Sequence, residues 1–176
     1  PMKIAFNTAN LVARVTGYRF SLADWGAQHA RTVAETDAAA WAGICAEIAD
    51  AGYRDVEIWA AHADPSVTDA RRAALWRRIA EDHGLRLVAH AGGLTGEATA
   101  QVCRWLGVEN VNGGFGGLPI DAVNDLCERY DLRAHYENHP EKSVAEIRAR
   151  IDGGSERVGV CVDSGWLGTQ GVDAAA

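Results

Sequence analysis

Two acidic residues end neighbouring apolar runs of the sequence. Glu137 closes the run 132–137, and Asp163 closes the run 158–163. Both runs predict buried parallel strands that stop on a carboxylate and enter a loop containing glycine or proline. A carboxylate at such a position is costly to bury unless a cation or hydrogen bonds compensate its charge. If the two strands are neighbours in a parallel sheet, their ends predict one metal-dependent site.

Each acid also has a structural interpretation that involves no metal. Glu137 could pair with an arginine or accept hydrogen bonds from loop amides. Asp163 could cap the loop or helix that follows it. His139, two residues after Glu137, could serve as a base or contact a substrate hydroxyl, or it could hold the turn into Pro140.

Six strand-like runs alternate with amphipathic helical segments. The strand runs are residues 2–7, 55–60, 85–90, 108–112, 132–137 and 158–163. Apolar residues spaced by three and four predict helices between most of them. Their stripes contain Trp41, Ile44, Cys45 and Ile48; Leu75, Trp76, Ile79 and Ala80; Val102, Trp105 and Leu106; Val123, Leu126, Cys127 and Tyr130; and Val144, Ile147 and Ile151.

Local signals mark several helix ends. Glycines stand where three helices should stop before the next strand. These are Gly52, Gly84 and Gly107. Ser143 and Glu146 have the spacing of a capping box that opens the fifth helix.

Regular alternation of strands and helices predicts a parallel sheet with right-handed crossovers. An open doubly wound sheet and a (β/α)₈ barrel both satisfy this pattern. Strands of a doubly wound sheet lie under helices on both faces and are apolar throughout. Here Tyr136 alternates with His135 and Glu137, so one face is polar. A polar face concentrated at strand ends favours the α/β fold of a TIM-barrel type, with its site at the C-terminal mouth.

The length of 176 residues predicts one domain, residues 1–176. A complete barrel typically needs roughly 200 to 250 residues or more. We therefore expect six βα units of a longer barrel, truncated after the sixth strand, with the start of a sixth helix near 171–176. A genuinely short chain completed by a partner is the alternative.

Composition limits the classes of partner. The formal net charge of −7 argues against nucleic acid or an anionic membrane surface. No segment approaches the roughly 20 consecutive apolar residues of a membrane span. None of the four cysteines forms a C-x-x-C pair, so buried free thiols and a cytoplasmic location are predicted. They are Cys45, Cys103, Cys127 and Cys161.

Two connections have unusual composition. The glycine-rich segment 113–117 has neither dinucleotide-loop spacing nor a Walker lysine, so it predicts a flexible rim loop rather than a phosphate site. The connection from Thr8 to about Glu35 is long and contains Tyr18, Phe20 and Trp25. Long loops in compact domains are usually functional or disordered, and we expect this one to cover the barrel mouth and limit substrate size.

The sequence resembles the xylose isomerase-like barrels known as sugar phosphate isomerases/epimerases, which include ketose 3-epimerases and inosose dehydratases. The resemblance covers the whole chain, including the segments 3–8, 51–59 and 86–91. It is strongest at 136–140 and 162–169, which contain Glu137 and Asp163.

The resemblance implies one divalent metal held by Glu, Asp, His and Glu on four strands. It places the first two ligands on Glu137 and Asp163, and the other two on a seventh and an eighth strand. The metal would be Mn²⁺ or Mg²⁺, with Co²⁺ and Zn²⁺ as further choices. Many members carry a histidine three residues after the aspartate, where this chain has Trp166.

The implied reaction is isomerisation or epimerisation of a sugar or sugar phosphate. The cation would polarise a carbonyl and stabilise a metal-bound enediolate while a carboxylate removes the α-proton. Glu137 and His139 are the candidate catalytic residues. Further polar or aromatic residues near strand ends are candidate substrate contacts, although each could equally bond locally. They are Asn7, His62, His90, Asn112 and Trp166.

Alternative interpretations of the residues and of the chemistry remain open. Trp59 is a second candidate for stacking on a sugar, and His135 is predicted to form hydrogen bonds in the core. The same scaffold could support lyase chemistry on inososes or 3-keto C-glycosides, with which Glu137 and His139 are compatible. The chain could also be a non-catalytic truncated barrel fragment, and the sequence leaves a homo-oligomer open.

Overall fold

The computed structural model describes residues 4–19 and 21–171 of the chain. The strands are β1 (Ala5–Asn7), β2 (Asp55–Trp59), β3 (Arg86–Ala91), β4 (Asn110–Gly113), β5 (Arg133–Glu137) and β6 (Val158–Cys161). The α-helices are α1 (Trp25–Glu35), α2 (Ala38–Asp50), α3 (Ala70–Asp82), α4 (Glu97–Leu106), α5 (Ile120–Tyr130), α6 (Val144–Arg150) and α7 (Ser164–Thr169). Short 3₁₀ helices cover Thr8–Leu11, Arg14–Thr16, Leu22–Asp24 and Ala60–His62.

All six predicted strands are present; four of their ends coincide with the predicted ones, and the others differ by one to three residues. The first residues of the predicted strand 2–7, Phe20 of the proposed lid and the expected helix beyond 171 lie outside the described residues. The largest functional difference concerns β6, which ends at Cys161 and not at Asp163. Asp163 instead caps α7, because its side chain accepts a hydrogen bond from the Trp166 amide.

The strands follow chain order, from β1 to β6, in one open parallel sheet. A doubly wound sheet reverses its strand order at a switch point, whereas the strands of a barrel follow one another in sequence. The TIM-barrel type of fold predicted from the strand pattern is therefore confirmed. The long connection after β1 is largely helical, because it contains α1 and three 3₁₀ turns.

The chain divides into two compact units, the first comprising Pro1–Ala91 and Val102–Val108. Its core is built around Trp41 of α2 and Trp76 of α3, whose rings stack with 6.2 Å between centroids. Both indoles are almost completely buried. The Trp41 indole N–H donates to the Trp76 carbonyl, and the Trp76 indole N–H donates to the His62 carbonyl. These bonds satisfy the polar atom of each buried indole and confirm that both tryptophans are core residues.

The second unit comprises Gly92–Gln101 and Glu109–Ala176. In it β4 pairs with β5 and β5 pairs with β6, and the last pair of the β5–β6 register is Glu137 with Cys161. The predicted stripe of α5 is buried at Val123, Leu126 and Cys127. Val144, in contrast, is 54% exposed because it is the first residue of α6, directly after the capping residue Ser143.

The glycine-rich segment after β4 packs closely against Gly92–Gly93, which corrects the expectation of a flexible rim loop. The Gly92 and Gly93 amides both donate to the Asn112 carbonyl. A Cβ atom on Gly93, which has φ +79°, would lie 1.9 Å from the Gly114 carbonyl oxygen. Phe115 is only 7% exposed and contacts Tyr136 edge to face. The glycines therefore permit a close backbone approach that no side chain would allow.

Other expectations concern helix ends, thiols and membrane spans. The three glycines predicted to end helices, Gly52, Gly84 and Gly107, all have positive φ. No disulfide joins the four cysteines, all of which lie within the described residues; Cys45, Cys103 and Cys127 are buried as predicted, whereas Cys161 is only partly buried. Among the described residues, no helix has the length and apolar character needed to cross a bilayer.

Candidate functional site

The group of side chains best suited to bind a cation or to transfer protons consists of Glu137, His139 and Asp163. Glu137 is the last residue of β5, and Asp163 lies between the end of β6 and the start of α7. One ligand atom from each of the three side chains lies within 4.8 Å of the others. The structure thus brings together the two acids that the sequence placed at neighbouring strand ends, and it adds His139.

The His139 imidazole lies between the two carboxylates. Its Nδ1 is 3.6 Å from Oε1 of Glu137, and its Nε2 is 3.3 Å from Oδ2 of Asp163. Both distances are longer than the 2.7–3.2 Å of a good N–H···O hydrogen bond. All three side chains are partly exposed, with 40%, 44% and 33% of the side-chain surface accessible for Glu137, His139 and Asp163. The cluster is therefore compact, accessible and loosely paired.

The two carboxylate oxygens of Asp163 have different roles. Oδ1 accepts the backbone N–H of Trp166 at 2.9 Å, which caps the first turn of α7. Oδ2 faces His139. The capping role that the sequence left open is therefore realised, and it orients the second oxygen toward the cluster.

Trp166 supports His139 from the side. Its ring centroid is 4.8 Å from that of His139, with the planes inclined by 50°. Its indole N–H donates to the Glu141 carbonyl at 2.8 Å. Since this bond occupies the only polar atom of the side chain, Trp166 can offer substrate an aromatic face but no hydrogen bond.

Glu141 anchors the loop that carries His139. Its side chain is 3% exposed, and Oε1 accepts hydrogen bonds from the Tyr136 hydroxyl and from Nε of Arg150. Burial acts to raise the pKa of Glu141, but hydrogen bonds from its own backbone amide, Arg150 and Tyr136 outweigh burial and lower it. The Glu141 carboxylate thus holds the Arg150 guanidinium, and the Glu141 backbone carbonyl holds the Trp166 indole.

Asn138 is a component of the site that the sequence did not single out. Its side chain is fully buried and forms two hydrogen bonds with the backbone of Asp163. The available signal was an amide residue enclosed between Glu137 and His139 at the end of a strand. Sequence alone could not show that this amide reaches a residue 25 positions later.

The cluster satisfies the simple requirements of a divalent cation site. Ligands about 2.1 Å from an octahedral ion lie roughly 3 Å apart when adjacent and roughly 4.2 Å apart when opposite. The limit of 4.8 Å among the three ligand atoms is compatible with these separations after small side-chain adjustments. Two carboxylates and one imidazole suit Mn²⁺, Mg²⁺, Co²⁺ or Zn²⁺, and do not select one of them.

Three of the candidate substrate contacts lie in the first unit and bond locally or are buried. The Asn7 side chain donates to Oε2 of Glu57 and accepts the Ala9 amide. His62 is 2% exposed, is hydrogen bonded to Thr8, and has its pKa lowered to about 4, chiefly by burial. These contacts correspond to the local bonding that the sequence left as an alternative for each residue.

His90 is 1% exposed, and burial lowers its pKa to about 4 even though the Ala63 carbonyl and Asp64 act to raise it. Neither ring nitrogen forms a hydrogen bond of normal geometry with the described residues. In this structure the side chain is thus a neutral, enclosed imidazole.

Asn112 lies in the second unit, in register with His135. Its Oδ1 is 2.9 Å from Nδ1 of His135, so these two side chains form the hydrogen bond predicted for His135. The register places both residues on the same face of the sheet as Glu137, two positions further along β5. Asn112 therefore remains a predicted substrate contact through this face.

Trp59 does not have the exposure that sugar stacking would require. It is 5% exposed and lies edge to face against Trp25, His29 and His62. The covering residue Trp25 is 39% exposed. The sequence suggested Trp59 because of its strand-end position, but α1 covers it.

Comparison with known proteins shows likeness at the level of structure. No protein-family model matches the sequence, and no curated protein is significantly similar to it. Among solved structures, D-psicose 3-epimerase crystallised in the presence of D-fructose has a TM-score of 0.59 and 18% identity, over 73% of this chain and 60% of that one.

Two further solved structures match over nearly the whole chain. A sugar phosphate isomerase/epimerase from Parabacteroides distasonis has a TM-score of 0.61 and 14% identity, over 97% of this chain and 68% of that one. The IOLI protein with a binding zinc atom has a TM-score of 0.59 and 15% identity, over 98% of this chain and 66% of that one. The chain thus spans about two thirds of the length of these proteins, and at such identities the likeness shows the fold.

Proposed function

Because this chain has the fold of the xylose isomerase-like TIM barrels, we propose that it belongs to a divalent-metal-dependent sugar isomerase or epimerase. The observation that carries the proposal is the approach of Glu137, His139 and Asp163 to within 4.8 Å at the carboxyl ends of β5 and β6. Active sites of TIM barrels lie at this end of the strands. A sugar, or a sugar phosphate, is the proposed substrate.

The proposed ligands of the cation are Glu137 and Asp163, with His139 beside them. When bound, a divalent cation would supply positive charge that stabilises an enediolate formed from a ketose or aldose. The known proteins with this fold include one described with a zinc atom, which supports a metal without identifying it here. A His and a Glu on two further strands would complete the ligand set that the sequence resemblance implies.

The chain's own residues can position and move the proton. Glu137 is 40% exposed and faces His139, so a carboxylate and an imidazole are available side by side for removing a proton and returning it. One carboxylate oxygen of Asp163 accepts the Trp166 backbone N–H in α7, and the other oxygen faces His139. Trp166 lies against the His139 ring, with 4.8 Å between the ring centroids.

Hydrogen exchange at the substrate carbon tests this function directly. A ketose incubated with the protein and Mn²⁺ in D₂O should lose the ¹H NMR signal of the carbon next to its carbonyl. Glu137→Gln should reduce the exchange rate by a factor on the order of 10² or more, the contribution of a positioned acid–base residue. Glu156→Gln, which makes the same charge change before the start of β6, should exchange normally.

Two outcomes would contradict the proposal. One is exchange that is equally fast in the Glu137 variant and the unmodified protein. The other is a lack of exchange with every ketose tested at saturating Mn²⁺.

Lyase chemistry on the same scaffold is the second candidate, and the adjacency of His139 and Glu137 favours it. After the α-proton leaves, an imidazole beside the carboxylate could protonate a departing oxygen or carbon. The same incubation distinguishes the two reactions. An isomerase or epimerase returns a sugar of the same composition, whereas a lyase releases water from an inosose or the aglycone from a 3-keto C-glycoside.

We also propose a cytoplasmic location and a small polar substrate, on the basis of the cysteines and the net charge. Four free cysteines fit a reducing cytoplasm, and the formal charge of −7 fits a small polar substrate better than nucleic acid. These features support a role in carbohydrate metabolism.

A further inference from the structure

We propose that Asn138 is a positioning residue that fixes Asp163 beside Glu137, an inference that rests on the proposed metal site. The Asp163 amide donates to Oδ1 of Asn138 at 2.6 Å. Nδ2 of Asn138 donates to the Asp163 carbonyl at 3.1 Å. One fully buried amide side chain therefore holds both backbone polar groups of a candidate metal ligand.

These two bonds begin where the backbone pairing of the strands ends. The last pair in the β5–β6 register is Glu137 with Cys161. Asn138 is the next residue after β5, and its side chain extends the connection to the second residue after β6. The side-chain amide thus replaces a further pair of backbone hydrogen bonds between the two strands, because it offers one donor and one acceptor as a backbone peptide unit does.

The result is an oriented carboxylate. With its backbone held by Asn138 and Oδ1 held by the Trp166 amide, Asp163 directs Oδ2 toward His139. Val162, the preceding residue, is 56% exposed, so burial of its side chain contributes little to holding this segment. We infer that hydrogen bonds, and those of Asn138 in particular, determine where the ligand oxygen lies.

A second asparagine in the same unit provides a matched control. Nδ2 of Asn124 donates to the Gly153 carbonyl at 3.0 Å, and the Ser155 amide donates to its Oδ1 at 2.8 Å. Asn124 therefore clamps a loop backbone by the same pair of bonds, but the loop contains no residue of the cluster. Loss of either clamp should lower the thermal stability, and only loss of the Asn138 clamp should alter the metal site.

Cobalt binding measures the difference. Each variant, Asn138→Leu and Asn124→Leu, is titrated with Co²⁺ and followed by its visible d–d absorption, which depends on coordination geometry. Asn138→Leu should weaken Co²⁺ binding by ~10- to 100-fold, the usual effect of losing a group that orients a ligand, and should change the intensity of the absorption. Asn124→Leu should retain the affinity and the spectrum of the unmodified protein.

A milder substitution covers the case in which Asn138→Leu does not fold. Asn138→Ser supplies a hydroxyl, which can replace one of the two hydrogen bonds but not both. Its Co²⁺ affinity should therefore lie between that of the unmodified protein and that of Asn138→Leu. Co²⁺ binding with unchanged affinity and spectrum in a folded Asn138 variant would overturn the positioning role and leave the proposed function standing. Failure of the unmodified protein to bind Co²⁺ would instead reject the metal site itself.

Discussion

Replacing Glu137 by glutamine should weaken Mn²⁺ binding by on the order of 100-fold or more. The substitution preserves the size of the side chain but removes one of the two negative charges that face the cation, and an amide oxygen is a weaker ligand than a carboxylate. The loss of Mn²⁺ affinity should exceed the roughly 10- to 100-fold effect of replacing a residue that only orients a metal ligand. Calorimetric titration with Mn²⁺ measures it.

Two matched variants make this result specific. Asp163→Asn should reduce the affinity similarly, while its amide oxygen can still accept the Trp166 N–H that caps α7. Glu156→Gln changes the net charge by the same amount in the loop before β6 and should bind Mn²⁺ as the unmodified protein does. Equal affinity in the Glu137 and Glu156 variants would mean that the cluster does not hold the ion.

Lowering the pH from 7 to 5 should destabilise the fold by about 2 kcal/mol for each of His62 and His90. Burial lowers the pKa of both imidazoles to about 4 in the folded chain, whereas an unfolded histidine titrates near 6.5. Between these values the unfolded state binds more protons, so the free energy of unfolding falls as the pH falls. The contribution is present above about pH 6.5 and is lost by about pH 4.

Urea unfolding at the two pH values measures this effect. In His90→Leu the decrease between pH 7 and pH 5 should shrink by about 2 kcal/mol, because one buried titrating group has been removed. His83→Gln is the control, because His83 is the residue that follows α3 and its side chain is only partly buried. The explanation is wrong if the His90 variant and the unmodified protein lose the same stability.

The fold could be predicted because its signals are local and repeated. Strand runs, apolar helical stripes and glycines at helix ends each depend on a few adjacent residues, and all six strands were found where the pattern indicated them. The approach of Glu137 and Asp163 followed from one further rule, that parallel strands adjacent in a sheet end at the same edge. Their use as metal ligands remains a prediction.

Features that depend on distant contacts could not be predicted. Trp59 has the sequence position of a substrate contact, but it is covered by Trp25 and His29 of α1. The glycines of 113–117 resemble those of a flexible loop, yet they permit a close contact with Gly93. The position of Asn138 between Glu137 and His139 does not identify its partner, because Asp163 lies 25 residues later in the chain. In each case tertiary packing determines the outcome.

Anomalous X-ray scattering from a crystal of the protein soaked in Mn²⁺ tests the central claim most directly. We expect one peak about 2.0 to 2.3 Å from a carboxylate oxygen of Glu137 and from one of Asp163. An absence of anomalous density between these residues at saturating Mn²⁺, with the imidazole still lying between the two carboxylates, would contradict the account.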